Sequence, residues 1–388
     1  MSNDSRRSFK HQVSAWLARL ARRPRLTPEQ LLALQPRRIL IVRQHNQMGD
    51  MVCATPALRA ISETWPEAEI ALVTAPVNQG VVAHNPHLDR VITFDRRVWR
   101  NPLRLTRFLS DIRGFRPELA FVLSSISFSV TSAWIAAASG AQHIVGADSR
   151  PFGWDVSRHF FSLEMPSAPV MDRDAVAHNL APLQAVGITT KNLFPVMVPA
   201  PVEVQRAREI MADLNLKPGF WSLHPGAGKR QNIWPAEGFA EVVRRARAAG
   251  HQVLILHGPA DAEPLAELVG ILGSAIGPDL CVAPACAVGV GAALLQQADR
   301  FVCNDTGVMH MAGALRVPTV ALFGPTDPAL WRPPSPELVV VKSAGRREVV
   351  QQSGLGGAEY GWMENITPDE VWAAWSSLPG RPAEKEKS

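Results

Sequence analysis

Short continuous apolar runs alternate with stretches of helical apolar spacing along most of this chain. The first run, Arg38-Ile39-Leu40-Ile41-Val42-Arg43, is of the kind buried on both faces of a parallel sheet. It leads through Gln44-His45-Asn46-Gln47-Met48-Gly49 into a helical pattern over 50–64, with Val52, Leu58 and Ile61 on its apolar side. Gly49 is expected to turn the chain tightly before that helix, and Pro56 to fall in an early turn of it. Further strands are predicted over 69–74, 90–94, 119–123 and 143–146, and helices over 103–113, 132–139 and 174–186, the last ended by Gly187. Prolines 195, 199, 201 and 218 then surround one helical segment over 202–214. The alternation resumes with strands over 220–224, 252–258, 301–303 and 319–323 and helices over 235–249, 261–271 and 308–315. A last amphipathic helix over 366–377 carries Val371, Trp372 and Trp375.

Strands alternating with helices predict an α/β fold with doubly wound parallel sheets, and the restart after Pro218 predicts two such Rossmann-like domains with a cleft between them. The expected divisions are a leader over 1–36, a first domain over 37–187, a linker region over 188–218, a second domain over 219–345 and a C-terminal segment over 346–388. At 388 residues and 46% hydrophobic content the chain has enough apolar material for two cores. No apolar run reaches the roughly 20 residues that cross a bilayer, and the N-terminus has no signal-peptide pattern, so a cytoplasmic place is expected. Cys53, Cys281, Cys286 and Cys303 lack zinc-ligand or disulfide-framework spacing; free thiols, no metal and no cofactor are expected.

Charge changes the picture in one place. Residues 1–38 hold nine Lys and Arg against Asp4 and Glu29, an excess larger than the whole chain's net charge of +5. Phe9, Val13, Trp16, Leu17 and Leu20 share a helical face there, as in an interfacial helix. An anionic membrane surface met by residues 1–25 is the first expectation and docking on the protein itself the second; nucleic acid is not expected.

Three loops at strand ends carry candidate chemistry: Met48-Gly49-Asp50, His224 to Arg230, and Asp305 to His310. Asp305, Thr306 and Gly307 put a carboxylate, a hydroxyl and unpaired N–H groups at a helix start that favours an anion such as a sugar phosphate, or alternatively just cap the helix. Asp50 is either a general base or a cap. The absence of GxGxxG after the first strand weighs against a nicotinamide-dependent enzyme.

The segments IVRQHNQMGDMVCATPALRAI, SLHPGAGKRQNIWPAEGFAEVV, NDTGVMHMAGAL and ALFGPTDPALW, in this order between Ile39 and Trp331, resemble the bacterial heptosyltransferase family. That resemblance implies a GT-B architecture and an inverting, metal-independent glycosyltransferase moving heptose from ADP-heptose onto a lipopolysaccharide-core-type, lipid-linked acceptor at the inner face of the inner membrane. It implies Asp50 as general base, with Met48 and Gly49 on the acceptor side. It implies donor contacts from His224, Gly226, Asp305, Thr306, Gly307 and His310, with Lys229 and Arg230 as the diphosphate's cations. Many members have a Lys-Arg or Lys-His pair directly before Trp-Pro, whereas here Asn232-Ile233 precedes Trp234-Pro235 and the basic pair lies upstream. Relatives often carry cysteines where 343–361 has none. Another nucleotide sugar, a protein acceptor, or a non-catalytic sugar-nucleotide-binding relative are the alternatives.

Overall fold

The computed structural model describes residues 23–44, 47–124, 126–345 and 361–380. The apolar runs become two six-stranded, all-parallel sheets, each in its own compact unit, with the division between Leu193 and Phe194.

In the first unit the chain runs β1 (Arg38–Arg43), α1 (Met48–Thr64), β2 (Glu69–Thr74), α2 (Pro76–Val82), β3 (Arg90–Thr93), α3 (Pro102–Gly114), β4 (Leu119–Val122), α4 (Val130–Ala138), β5 (His143–Ala147), β6 (Leu163–Met165) and α5 (Ala175–Gln184). The sheet order is β3-β2-β1-β4-β5-β6. The strand order therefore reverses between β1 and β4, and ligands of such sheets bind outside the carboxyl ends of the strands at that point. The chain leaves β1 there and enters α1.

Helix α1 is not the half-exposed helix its sequence spacing suggests. Every residue from Met51 to Ile61 is buried. Pro56 lies in its interior rather than in an early turn, and having no N–H it leaves the Val52 carbonyl without its helical partner. The Thr55 hydroxyl donates to that carbonyl at 2.8 Å instead. Thr55→Val is expected to lower stability by about 1–3 kcal/mol, the cost of a buried unsatisfied carbonyl, read from the urea midpoint at unchanged slope.

The second unit runs α6 (Pro201–Asp213), β7 (Trp221–His224), α7 (Ala236–Ala248), β8 (Val253–Ile255), α8 (Ala262–Leu272), β9 (Leu280–Val282), α9 (Val288–Leu295), β10 (Arg300–Asn304), α10 (Gly307–Ala314), β11 (Thr319–Phe323), β12 (Leu338–Lys342) and α11 (Pro368–Ser377). The order β12-β11-β10-β7-β8-β9 repeats the winding of the first sheet, and its reversal falls between β7 and β10. Strand side chains alternate between two cores. Phe301 and Cys303 pack with Ile210, Met211 and Leu294 on one face, and Val302 packs with Phe239, Val371 and Trp375 on the other. Through Ala207, Ile210 and Met211, α6 is part of this core and not a free connector.

Strands β6, β9 and β12 are absent from the sequence-based expectation. The first two are three residues long, too short to register as a pattern, and β12 is a partly exposed edge. Of the basic leader, residues 1–22, with the expected interfacial helix, lie outside the described residues, as do 346–360 and the expected disordered tail after 380. The described part of the leader docks on the first unit. The Arg23 guanidinium donates to the Ala137 and Ala141 carbonyls, Arg25 donates to those of Phe161 and Arg158, and Leu31 is fully buried.

Candidate functional site

On the first unit, Met48 and Gly49 are the first two residues of α1, and Asp50 follows in the first turn. The helix thus begins two residues earlier than its sequence suggests, with Gln47 as its N-cap, so Gly49 is helical and Asp50 is not the cap. Asp50 stands instead at the third helical position, in the first turn. Residues 45 and 46 of the preceding loop lie outside the described residues.

Beneath this turn stands Arg43, the last residue of β1 and 1% exposed. Its Nη2 donates to the Asp50 carbonyl at 3.2 Å, while its buried Nε has no hydrogen-bond partner among the described residues. Burial pulls the guanidinium's proton affinity down, and the nearby Asp50 and Cys53 oppose that. Burial and then Asp50 push the Cys53 thiol far above its ordinary range, so Cys53 is packing and not a nucleophile. A charged residue closing an otherwise apolar strand is a signal the sequence held and the motif reading passed over.

On the second unit the ends of β7, β10 and β11 stand side by side, with Cys303 opposite His224 and Asn304 opposite Leu322. Asn304, fully buried, ties the surrounding loops together. Its Nδ2 donates to the carbonyls of Pro225 (2.8 Å) and Gly226 (3.2 Å), and its Oδ1 accepts from the Trp234 N–H at 3.1 Å. Asp305 comes next. Its Oδ2 accepts from Asn232 Nδ2 at 3.0 Å and from the Thr326 hydroxyl at 2.6 Å, leaving Oδ1 with no hydrogen bond among the described residues. Lys342, at the end of β12, braces the same loop by donating to the carbonyls of Gly324 and Thr326, the latter at 2.8 Å. Burial lowers the Lys342 ammonium's affinity for its proton, against the pull of Asp327 and Asp305. Thr306 is the N-cap of α10 but makes no side-chain cap bond, and Gly307 opens the helix, so this start carries uncapped N–H groups.

The remaining residues expected on the donor side are placed differently from one another. Lys229 and Arg230 are exposed, and Arg230 reaches Glu263 at 3.0 Å, a solvent-screened pair. His310 is 5% exposed and packed within α10. His224, at 3%, does not line a surface either: its Nε2 meets Asp261 Oδ2 at 3.0 Å, and the same oxygen accepts from the Gly258 N–H at 2.6 Å. Burial raises the Asp261 carboxyl's pKa, but the His224 hydrogen bond and charge, with the Gly258 N–H, outweigh it and hold it below the usual value. Gly226 is fixed by this pair, since a Cβ there would lie 1.8 Å from Asp261 Oδ1. Gly226→Ala is therefore expected to lower Tm by several degrees, read by calorimetry. Because the folded pKa of Asp261 is depressed, its contribution to stability is complete above the usual carboxylate range and is lost as pH falls through the lower folded value. Asp261→Asn should flatten that part of the acid limb in urea melts.

Sequence motifs found Asp305, Thr306 and Gly307 but not what holds them. Asn232, Asn304, Thr326 and Lys342 come from four separate segments, and only the strand order makes them neighbours.

Comparison with known proteins adds a family. The family described as glycosyltransferase family 9 (heptosyltransferase) matches residues 122–355, more than half of the chain. Lipopolysaccharide heptosyltransferase 3 of Escherichia coli is 22% identical over 302 residues, covering 78% of this chain and 88% of that protein. Lipopolysaccharide heptosyltransferase 1 of Pseudomonas aeruginosa is 26% identical over 300 residues, covering 75% and 79%. The solved structure of the E. coli ADP-heptose lipopolysaccharide heptosyltransferase II superimposes with a TM-score of 0.68 at 21% identity, over 87% of this chain and 97% of that one. The two Rossmann-like sheets are accordingly those of the GT-B class. By the family match over more than half of its length, this chain belongs to glycosyltransferase family 9.

Proposed function

We propose that this glycosyltransferase moves a heptose from ADP-heptose to a hydroxyl of a lipopolysaccharide-core-type acceptor in one inverting displacement. The observation that carries the mechanism is Asp50, half-buried in the first turn of α1 at the switch point of its sheet and held through its carbonyl by the buried Arg43. The acceptor hydroxyl must lose its proton as its oxygen attacks the anomeric carbon, and a carboxylate fixed there takes it. The attack enters opposite the leaving ADP, so one displacement inverts the anomeric centre. Met48 and Gly49 shape the backbone from which Asp50 projects.

On the donor side Asp305 Oδ1 accepts a donor hydroxyl, while Thr306 and the N–H groups at the start of α10 receive the diphosphate. Lys229 and Arg230, exposed on the loop after β7, supply positive charge as ADP departs, with Arg230 exchanging Glu263 for phosphate. Gly226 and the His224–Asp261 pair shape that loop, and His310 supports α10 from within. The names of the relatives support the donor and acceptor classes.

Asn232 favours a second reading, another nucleotide sugar in the same site. It stands directly before Ile233 and Trp234, where many relatives have a basic pair, and it is bonded to Asp305 instead of offering a cation. The deciding experiment incubates the full chain with ADP-heptose and a core-type acceptor and measures ADP release, beside a thermal-shift panel of nucleotide sugars. A ligand at 100 times its dissociation constant adds about 2.7 kcal/mol. Release of ADP with stabilisation by ADP-heptose is expected; stabilisation by a different nucleotide sugar alone transfers the assignment to that donor. Stabilisation without transfer to any acceptor would leave a binding protein.

A further inference from the structure

Between β3 and the middle of α3 the first unit carries five arginines in twelve residues, Arg96, Arg97, Arg100, Arg104 and Arg107, against Asp95 and, one turn beyond Arg107, Asp111. Arg97 pairs with Asp95 at 3.9 Å. The other four guanidiniums are exposed and make no ion pair or side-chain hydrogen bond among the described residues. The same surface exposes two large apolar side chains. Trp99 is 55% exposed in the 3₁₀ turn Arg96–Arg100, and Leu103, in the first turn of α3, is 81% exposed. Neither exposure is forced by a poor core. Helix α3 buries Phe108 and Ile112 on its inner face, so Leu103 lies on the opposite, outer side and Arg107 one turn on along its flank. Trp99 is steadied from below by Phe94, ring centroids 5.8 Å apart, and Phe94 by Phe108 at 4.9 Å.

We propose that the turn Arg96–Arg100 and the first two turns of α3 are a docking surface for an anionic phospholipid bilayer. Unpaired guanidiniums seek phosphate and carboxylate oxygens, and an indole at the rim with an exposed leucine beside it suits the boundary between headgroups and acyl chains. A nucleic acid would engage the arginines but leave Leu103 in water.

Position supports the same occupant. Strand β3 is the edge of its sheet, and the turn follows its carboxyl end, the same end from which α1 and Asp50 follow β1. Two strand spacings, roughly 10 Å, separate β3 from β1. A bilayer on this surface therefore lies beside the end of the sheet that carries the candidate base. The assignment rests on the proposed function only for its purpose, the capture of a lipid-linked acceptor.

The test floats the full chain with vesicles of phosphatidylcholine, with or without one third phosphatidylglycerol. The parent should bind the anionic vesicles, more weakly as salt is raised. Any leader contribution is common to all forms, so the differences between forms are the readout. Arg104→Gln with Arg107→Gln should weaken partitioning by about fivefold per arginine, and Trp99→Ser with Leu103→Ser by about tenfold while keeping the salt dependence. Partitioning of both double variants equal to the parent's, equal binding to neutral vesicles, or binding of RNA but not of vesicles would each overturn the surface. Turnover of a water-soluble, delipidated acceptor should be unaltered in both variants, and its loss would also count against a docking role. A parent that binds anionic vesicles yet transfers sugar to nothing leaves this surface standing and removes the proposed function instead.

Discussion

Replacing Asp50 with alanine is expected to lower kcat by about 10²–10⁴-fold while leaving the affinity for the nucleotide sugar nearly unchanged. The split follows from the geometry. Asp50 belongs to the first unit, whereas the donor-binding groups proposed above, Asp305 and the start of α10, belong to the second. An acidic residue in a first helical turn also interacts favourably with the helix dipole, but that is worth only about 0.3–1 kcal/mol. The variant should therefore stay folded, and a large loss of turnover is not a stability effect. Asp50→Asn is the sharper control, since it keeps the shape and the carbonyl contact to Arg43 and removes only the basic oxygen. Turnover is measured by ADP release and donor affinity by calorimetry. Either variant turning over within a few fold of the parent would mean that another group accepts the proton, and a raised acceptor KM at constant kcat would mean that Asp50 binds without reacting.

Asp305→Asn should have the opposite signature, a donor affinity reduced by roughly ten- to a hundredfold, the loss of one hydrogen bond to a charged acceptor. Asp305 Oδ2 already accepts from Asn232 and Thr326. An asparagine can keep both bonds with its single oxygen, which leaves the loops in place, but it turns an NH₂ outward where the carboxylate offered a second oxygen. The fold survives and the acceptor for a sugar hydroxyl does not. Thr326→Val is the graded companion: it removes one of the two locks, leaves Asp305 charged, and should cost donor binding less than Asp305→Asn does. Unchanged donor affinity in Asp305→Asn would remove this carboxylate from the donor site.

Much of both units was legible in the chain. β1, β2 and β11 begin and end where their apolar runs do, because strands buried on both faces must be apolar throughout and are bounded by polar turn residues. The start of α10 was equally plain, since Asp305, Thr306 and Gly307 interrupt apolar sequence on both sides. Boundaries failed where neighbours decide. Helix α1 begins two residues before its apolar periodicity does, since Met48 and Gly49 are helical although neither belongs to that pattern. His224 reads in sequence as a loop-edge ligand, yet Asp261, 37 positions later in the numbering, claims it in the interior.

By itself, then, the sequence determined what depends on local order: the alternation of strand and helix, the positions of the three loops, and the residue types they present. Only the tertiary structure decided which oxygen of Asp305 is occupied, that Arg43 stands beneath Asp50, and that Asn232, Asn304, Thr326 and Lys342 converge. Those contacts join segments far apart in the chain. Parallel strands pair through crossovers, so which loop ends become neighbours is set by strand order, a property no short stretch of sequence contains.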